Sequence, residues 1–201
     1  MNQFKQLFEA KKHIFMPFFM LGYPNIEVKE AFIHNLLEVY TYQSPTIVSD
    51  AMFRLEIALQ ECDLKEFIVQ LKVLFSDISY HLLPKSKRKN ATQDDETKDF
   101  EAWEGYFQTV IYLVTAFMGL AVQSEITHHK GRLDLLIEAD DYLYLMELKL
   151  EEDVADAIEQ IKSREYMAAY RNSTKKILLV GVSFDRAERN VKDWVAEAWV
   201  R

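Results

Sequence analysis

Cysteine, proline and glycine are scarce in this 201-residue sequence, with one, four and five copies respectively. The single cysteine, Cys62, excludes an internal disulfide, and such chains are typical of a reducing compartment, so we predict a cytoplasmic protein. The few glycines form no phosphate-binding loop, and no Cys/His cluster has the spacing of a zinc site. Hydrophobic residues make up 49% of the chain. That proportion and the length suffice for a real core.

Positive charge is also in short supply. The chain has 24 lysines and arginines against 32 aspartates and glutamates, a formal net charge of −8. Strong non-specific binding to nucleic acid depends on neutralised phosphates, so this balance argues against it but leaves a local basic groove open. No apolar run is long enough to cross a bilayer, since residues 14–21 are the nearest approach. We therefore predict no membrane association.

Hydrophobic spacing divides the chain into an N-terminal part, a linker and an α/β part. Residues 1–84 are predicted to hold an arm, with a helix over 2–12 and a strand over 14–20, and then an all-helical subdomain. Residues 85–99 carry a basic run followed by acidic residues and almost no apolar side chain, which is typical of a linker. The remaining residues, 100–201, are predicted to form a separate domain.

Helix boundaries in the helical subdomain are predicted from capping residues. Pro45 is expected to end one helix, and Ser49 or Asp50 is expected to cap the next. Asp63 has the position of an N-cap for a third helix. These three helices contain no group of residues that suggests chemistry.

The α/β part has the periodicities of alternating helices and strands. The predicted elements are a helix over 100–118, strands over 122–127, 131–138 and 142–150, a helix capped by Asp153, a strand over 176–184 and a last helix over 190–200. Three sequential strands can form a meander, and a helical crossover then leads to a parallel strand. The fold class is therefore α/β.

Two acidic residues face each other across the predicted hairpin. Asp140 and Asp141 form a two-residue loop, the usual length of a tight hairpin turn. Counting back along both strands places Asp134 opposite Glu147. Directly opposed side chains on one sheet face lie roughly 5 Å apart. Because two carboxylates held that close repel each other unless a cation lies between them, the register predicts a divalent-metal site.

The same register places two basic residues beside the acids. Arg132 is expected opposite Lys149, and both share the face of Asp134 and Glu147 because strand side chains alternate. The alternate positions are apolar and are predicted to pack inward on the other face: Leu133, Leu135, Ile137, Tyr144, Met146 and Leu148. Two interpretations remain open, namely a metal site and a cross-strand ladder in which the four charged residues neutralise one another.

The ordered motifs resemble those of the PD-(D/E)XK nuclease superfamily. They are Leu21-Gly22-Tyr23-Pro24, Asp63-Leu64-x-Glu66-Phe67, Glu104-x-Tyr106, Ser124-Glu125, Gly131-Arg132-x-Asp134, Glu147-x-Lys149, Ala157-x-x-Gln160-Ile161 with Tyr166, and Val180-Gly181-Val182-x-Phe184. The chain is most similar to the nuclease-like domain at the C-terminal end of bacterial proteins that begin with an AAA-type ATPase-like domain. This resemblance covers residue 21 to the end. It implies a restriction-endonuclease-like core of helix, three-strand meander, helix and strand.

The resemblance also implies a chemistry and a set of roles. It implies metal-dependent hydrolysis of phosphodiester bonds in DNA or RNA. Asp134, Glu147 and the backbone carbonyl of Leu148 would hold Mg²⁺ or Mn²⁺, and Glu104 would reach the ion through water. Lys149 would orient or help deprotonate the attacking water. The residues implied next to this site are Arg132, Gln160 and Tyr166.

Three features favour an alternative without catalysis, namely the net negative charge, the expected lack of the upstream ATPase-like domain and a change after the helix acid. The family often has Tyr-His after the helix acid, where this chain has Phe107-Gln108. Residues 4–24 resemble the opening of a tryptophan synthase alpha chain, and we expect a packing arm there, with no synthase activity. The alternative is a catalytically silent module of the same fold that binds nucleic acid or protein, with a protein partner docking on residues 27–80.

Overall fold

The computed structural model describes residues 8–13, 16–21, 25, 27–28, 31, 45–78, 84, 93–128, 131–164 and 166–200. Its elements are strands β1 (Phe8–His13) and β2 (Met16–Leu21), helices α1 (Pro45–Glu61), α2 (Leu64–Asp77) and α3 (Gln93–Phe117), strands β3 (Ala121–His128), β4 (Gly131–Glu138) and β5 (Tyr142–Leu150), helix α4 (Val154–Ser163), a 3₁₀ helix (Tyr166–Tyr170), and strands β6 (Lys176–Asp185) and β7 (Asn190–Ala198). No helix in these ranges is both long and apolar enough to cross a membrane.

The five strands β3 to β7 form one sheet in their chain order. Strands β5 and β6 are parallel and are joined through α4, while the other neighbours are antiparallel. The predicted α/β class is therefore confirmed, with its helix, three-strand meander, crossover helix and strand. This arrangement is consistent with a restriction-endonuclease-like fold. Strands β1 and β2 pair separately as a two-stranded antiparallel sheet.

Two predicted helices are strands in the structure. Residues 8–12 were assigned to a helix, but they belong to β1 and pair with β2. The predicted last helix, residues 190–200, is mostly strand β7. Strand β6 would otherwise be a sheet edge with unpaired backbone groups, and β7 satisfies them by antiparallel pairing. Because this pairing is a tertiary contact, the spacing of apolar residues in the segment does not reveal it.

Two helix starts lie earlier than predicted. Helix α1 begins at Pro45, which was expected to end a helix. Proline is favourable in a first turn because its missing N–H would have no helical partner there. Helix α3 begins at Gln93, so residues 93–99 extend the helix predicted from residue 100. The rest of the predicted linker, residues 85–92, lies outside the described residues.

Two predicted caps are confirmed. The Asp63 carboxylate accepts the backbone N–H of Glu66 at 3.0 Å, and that of Asp153 accepts the N–H of Ala155 at 2.8 Å. Each cap satisfies a donor that the first helical turn leaves without a partner. The cap at Asp153 fixes the start of α4, the helix that carries Gln160.

The sheet has a hydrophobic core on each face. The first core lies under α1, α2 and α3 and includes Leu55, Phe67, Phe107, Ile137 and Tyr144. The second core lies under α4 and the 3₁₀ helix and includes Leu133, Leu136, Ile158, Ile161 and Tyr166. The Tyr144 hydroxyl also donates to the Leu59 carbonyl at 2.5 Å, which ties α1 to β5. The helices of the N-terminal part and the sheet therefore share one core.

Candidate active site

The predicted hairpin register is confirmed near the turn. The Ala139 N–H donates to the Tyr142 carbonyl at 3.0 Å, as expected for a loop at Asp140 and Asp141. The ladder then continues through Glu138 with Leu143, Ile137 with Tyr144, Leu136 with Leu145 and Leu135 with Met146. It ends one residue before Asp134, so the predicted pairs of Asp134 with Glu147 and of Arg132 with Lys149 are not ladder pairs.

Asp134 lies at an interruption of the sheet on both sides. Toward β5, its carboxylate accepts the backbone N–H of Leu148 at 2.8 Å. Toward β3, the pair of Asp134 with Glu125 is missing from the ladder, and Glu125 has a φ of +53°. The Asp134 carbonyl accepts a hydrogen bond from the Gln108 side chain at 2.9 Å. Side chains therefore replace strand partners around this acid.

The interruption also changes which core β4 contacts. Alternation predicts that Leu133 and Leu135 share a face. Leu135 lies in the first core, as predicted, whereas Leu133 packs in the second core with Leu136 and Tyr166. Leu133 is fully buried, so the prediction that it packs inward is confirmed. The prediction that it shares a face with Leu135 is wrong, because strict alternation requires a regular strand and β4 is irregular at Asp134.

Glu147 is a buried carboxyl group in a repulsive environment. It is 2% exposed, and its Oε2 has no hydrogen-bond partner among the described residues. Burial and then the charge of Asp134 raise the pKa of Glu147 to about 8, against the opposing charges of Lys149 and Arg164. Burial likewise raises the pKa of Asp134. We refer to Asp134 and Glu147 as the acid pair.

Lys149 is held beside the acid pair by helix α4. Its Nζ donates to Gln160 Oε1 at 2.7 Å and lies 3.8 Å from Glu147 Oε1. A weaker contact of 4.0 Å reaches Glu152. The lysine side chain is 14% exposed, so its charge lies near the site and not in bulk solvent. The predicted proximity of Gln160 to the site is therefore observed.

Glu104 on helix α3 lies close enough to Asp134 for the two charges to interact. Burial raises its pKa first, and the charges of Asp134 and Glu152 raise it further. The charge of Lys149 and the Leu150 backbone N–H act in the opposite direction. A third carboxyl group therefore lies near the site, and its predicted contact with a cation through water stays a prediction.

Arg132 is near the site but pairs elsewhere. Its Nη1 lies 3.3 Å from Glu125 Oε1, and both side chains are more than half exposed, at 56% and 58%. The charge of Arg132 still lowers the pKa of Asp134. Because Lys149 contacts Glu147 and Gln160 instead of lying opposite Arg132, the described residues do not form the four-membered ion-pair ladder.

Arg164 is a site residue that the sequence analysis missed. Its Nη1 donates to the Arg132 carbonyl and to the Tyr166 hydroxyl, both at 3.1 Å. Its charge lowers the pKa of both members of the acid pair. One signal was present, because Arg164 follows Gln160 by four residues and side chains at that spacing share a helix face.

Gly131 makes room for Arg164. The glycine has a φ of +151°, which side chains rarely adopt, and a Cβ there would lie 2.6 Å from Arg164 Cδ. A side chain at this position would be strained and would displace the arginine. The glycine of the Gly131-Arg132-x-Asp134 motif therefore has a packing role beside the site.

The acid pair has the ligand chemistry for a divalent cation. Carboxylate oxygens suit Mg²⁺ and Mn²⁺. A cation would satisfy the Oε2 atom of Glu147 and remove the repulsion between the two acids. No group of three or more His, Cys, Asp or Glu side chains in the described part of the chain is arranged to hold a metal. Two carboxylates are thus the side-chain ligands that fit, and Mg²⁺ usually keeps several waters.

The acids on β4 and β5, the lysine two residues after the second acid and the flanking helices define a nuclease-type α/β core. Residues 102–194 match the model of the PD-(D/E)XK nuclease superfamily. The predicted resemblance to this superfamily is therefore confirmed over these residues, as a similarity to the family model. The similarities of this chain to an ATPase-linked branch and to tryptophan synthase stay predictions.

One curated relative is similar over most of the chain. It is a protein of Azotobacter chroococcum mcd 1 named "Uncharacterized protein in vnfD 5'region", 29% identical over 184 residues. The alignment covers 90% of this chain and 33% of that protein, so the chain spans about a third of its length. No solved structure matches the chain.

Proposed function

We propose that this protein is a metal-dependent nuclease that hydrolyses phosphodiester bonds of DNA, with RNA as the second substrate class. The observation that carries the proposal is Glu147, a buried carboxyl group beside Asp134 with one oxygen that lacks a hydrogen-bond partner among the described residues. Such a group is costly unless a ligand satisfies it. The similarity of residues 102–194 to the superfamily model suggests the reaction class. The cytoplasmic location predicted from Cys62 is part of this proposal.

Asp134 and Glu147 would bind Mg²⁺ or Mn²⁺, with the Leu148 carbonyl as a further ligand and Glu104 contributing through water. When bound, the cation supplies activation of water and stabilisation of charge on the phosphate. Asp134 is oriented for this role because the Leu148 N–H holds its other oxygen.

Lys149 orients the attacking water. Its ammonium group has three N–H donors, and one is used on Gln160. The remaining donors can hold the water oxygen and the developing negative charge on the phosphate. Gln160 fixes the position of this donor, since its Oε1 accepts at 2.7 Å.

Cleavage assays test the proposal directly. Plasmid, single-stranded DNA and RNA are incubated with Mg²⁺, Mn²⁺ or EDTA, using the wild type, Asp134→Ala and Lys149→Ala. We expect cleavage by the wild type with metal and none with EDTA or with either variant. Lys162→Ala is the matched control, because Lys162 pairs with Glu197 away from the acid pair. Activity that survives both site substitutions would remove the site assignment.

An exposed apolar strip favours the second candidate, a catalytically silent module that binds a protein partner. Phe53 and Ile57 on α1 are 62% and 38% exposed, and Val69 and Val73 on α2 are 50% and 42% exposed. Each pair is spaced by four residues and so lies along one helix face. These residues fall within the segment 27–80 that was predicted to dock a partner. Absence of cleavage together with absence of Mn²⁺ binding by calorimetry would favour this candidate.

A further inference from the structure

We propose that Arg164 binds a phosphate oxygen of the nucleic-acid substrate beside the acid pair, an inference that rests on the proposed nuclease function. The contact would hold a phosphodiester group next to Asp134 and Glu147. It would also offset the repulsion between a polyanion and a chain of net charge −8.

The position of Arg164 is fixed by three neighbours. Its Nη1 donates to the Arg132 carbonyl and the Tyr166 hydroxyl, and its side chain passes over Gly131, where a Cβ would lie 2.9 Å from Nε. Tyr166 is itself fully buried in the second core. The guanidinium group is therefore held in place before any ligand arrives, which reduces the entropy lost on binding.

Arg164 has N–H donors that are not used in the structure. A guanidinium group has five N–H donors. The two contacts of Nη1 use two of them, which leaves three on Nε and Nη2 without a partner among the described residues. The bond to the Arg132 carbonyl lies on the exposed side. Arg164 is only partly buried, so the remaining donors are open to a ligand that approaches from solvent.

The charge of Arg164 is near the acids without being neutralised by them. It lowers the pKa of Asp134 and Glu147, yet no carboxylate within the described ranges forms an ion pair with it, in contrast to Lys149 and Arg132. An unpaired guanidinium group has the planar donor geometry that suits phosphate. An arginine that only held the Arg132 carbonyl and the Tyr166 hydroxyl in place would not need the donors that remain on Nε and Nη2.

The salt dependence of DNA binding distinguishes a phosphate contact of Arg164 from a purely structural role. Fluorescence anisotropy on duplex DNA in EDTA gives the dissociation constant over a series of salt concentrations without cleavage. Each phosphate contact contributes about 0.9 to the slope of log K against log salt. We expect Arg164→Gln to reduce the slope by about 1 and to weaken binding about tenfold. Arg54→Gln is the control, since it removes the same charge from α1, where Arg54 pairs with Asp50.

A second variant covers the case in which Arg164→Gln does not fold, as judged by urea unfolding. Arg164→Lys keeps the charge but not the planar donor group, so we expect the same slope and about threefold weaker binding. An unchanged slope in a folded Arg164→Gln protein, or unchanged affinity in Arg164→Lys, would overturn the assignment while leaving the nuclease function intact. If the wild type neither binds nor cleaves nucleic acid, the proposed function fails and this contact fails with it.

Discussion

The backbone N–H of Leu148 donates to the carboxylate of Asp134 at 2.8 Å, just beyond the end of the β4–β5 ladder at Leu135 and Met146. In a regular antiparallel pair, an N–H of β5 that points toward β4 would bond to a carbonyl of β4. Here a side chain takes that place, and the acid is fixed by the strand that carries Glu147. The bond therefore couples the position of one acid to the backbone next to the other.

Two substitutions of Asp134 should separate its charge from its hydrogen bond. Both Asp134→Asn and Asp134→Ala should abolish cleavage, because each removes a carboxylate ligand. Asp134→Ala should also lower the free energy of unfolding by about 1–3 kcal/mol, because the Leu148 N–H loses its acceptor. Asp134→Asn keeps an acceptor oxygen and relieves repulsion with Glu147, so it should be at least as stable as the wild type. Urea unfolding in EDTA measures the difference, and equal stability of the two variants would contradict it.

The pH dependence of stability should report the buried acid. The folded pKa of Glu147 is about 8 against an ordinary value of 4.5, so the folded protein holds a proton that the unfolded chain releases. The contribution of this group is therefore fully present below about pH 4.5 and is lost as pH rises toward 8. We expect Glu147→Gln to flatten this decline in metal-free urea unfolding. A decline of the same size in the variant would show that another group causes it.

Metal affinity should depend on pH in the opposite direction. A cation must displace the proton of Glu147, so Mn²⁺ affinity should rise about tenfold per pH unit up to the pKa of about 8 and then level off. Calorimetry in two buffers of different ionisation enthalpy measures both the affinity and the proton release. A pH-independent affinity would mean that Glu147 is not a ligand.

The register of the hairpin could be predicted from the sequence, but the end of the ladder could not. A two-residue loop at Asp140 and Asp141 sets the pairing by counting, and the pairs near the turn agree with it. The interruption at Asp134 depends on the Leu148 N–H and on Gln108, which is 26 residues away in the chain. Contacts of that kind do not affect the spacing of apolar residues in the sequence. Counting from the turn therefore predicts strand pairs beyond the point where the regular ladder ends.

The missed residues have a similar explanation. Strand β7 forms because β6 needs an edge partner, and Arg164 reaches the site because Gly131 leaves space for it. Both depend on packing between segments distant in sequence. The predicted site residues Asp134, Glu147 and Lys149 lie on one hairpin, whose turn sets their approximate positions. Gln160, by contrast, was predicted from the family resemblance and not from its spacing.

Removing the acceptor of Lys149 should slow cleavage without changing metal binding. Gln160→Ala leaves the Lys149 Nζ without its 2.7 Å partner, so the lysine can turn toward Glu147 or Glu152. Loss of such a positioning contact typically costs about 10- to 100-fold in activity. We expect that loss in the cleavage rate, with Mn²⁺ affinity within about twofold of the wild type. Gln70→Ala is a control, since Gln70 bonds to Glu66 on α2. An unchanged rate would show that Lys149 needs no such support.

Two glycine substitutions should have effects of opposite sign on stability. Gly131→Ala forces a side chain into a φ of +151° and against Arg164, which should cost about 1–3 kcal/mol in unfolding free energy. Gly105→Ala places a methyl group on helix α3 with nothing within 4 Å, so it should stabilise the protein by about 0.4–1 kcal/mol. Urea unfolding of both variants measures the two changes in unfolding free energy.

The same two variants should differ in DNA binding. Since Gly131→Ala also displaces the guanidinium group, it should weaken DNA binding as Arg164→Gln does, whereas Gly105→Ala should leave binding unchanged. A Gly131→Ala protein with wild-type stability would show that the start of β4 relaxes around the new side chain, and that the tight fit of Gly131 against Arg164 is not required.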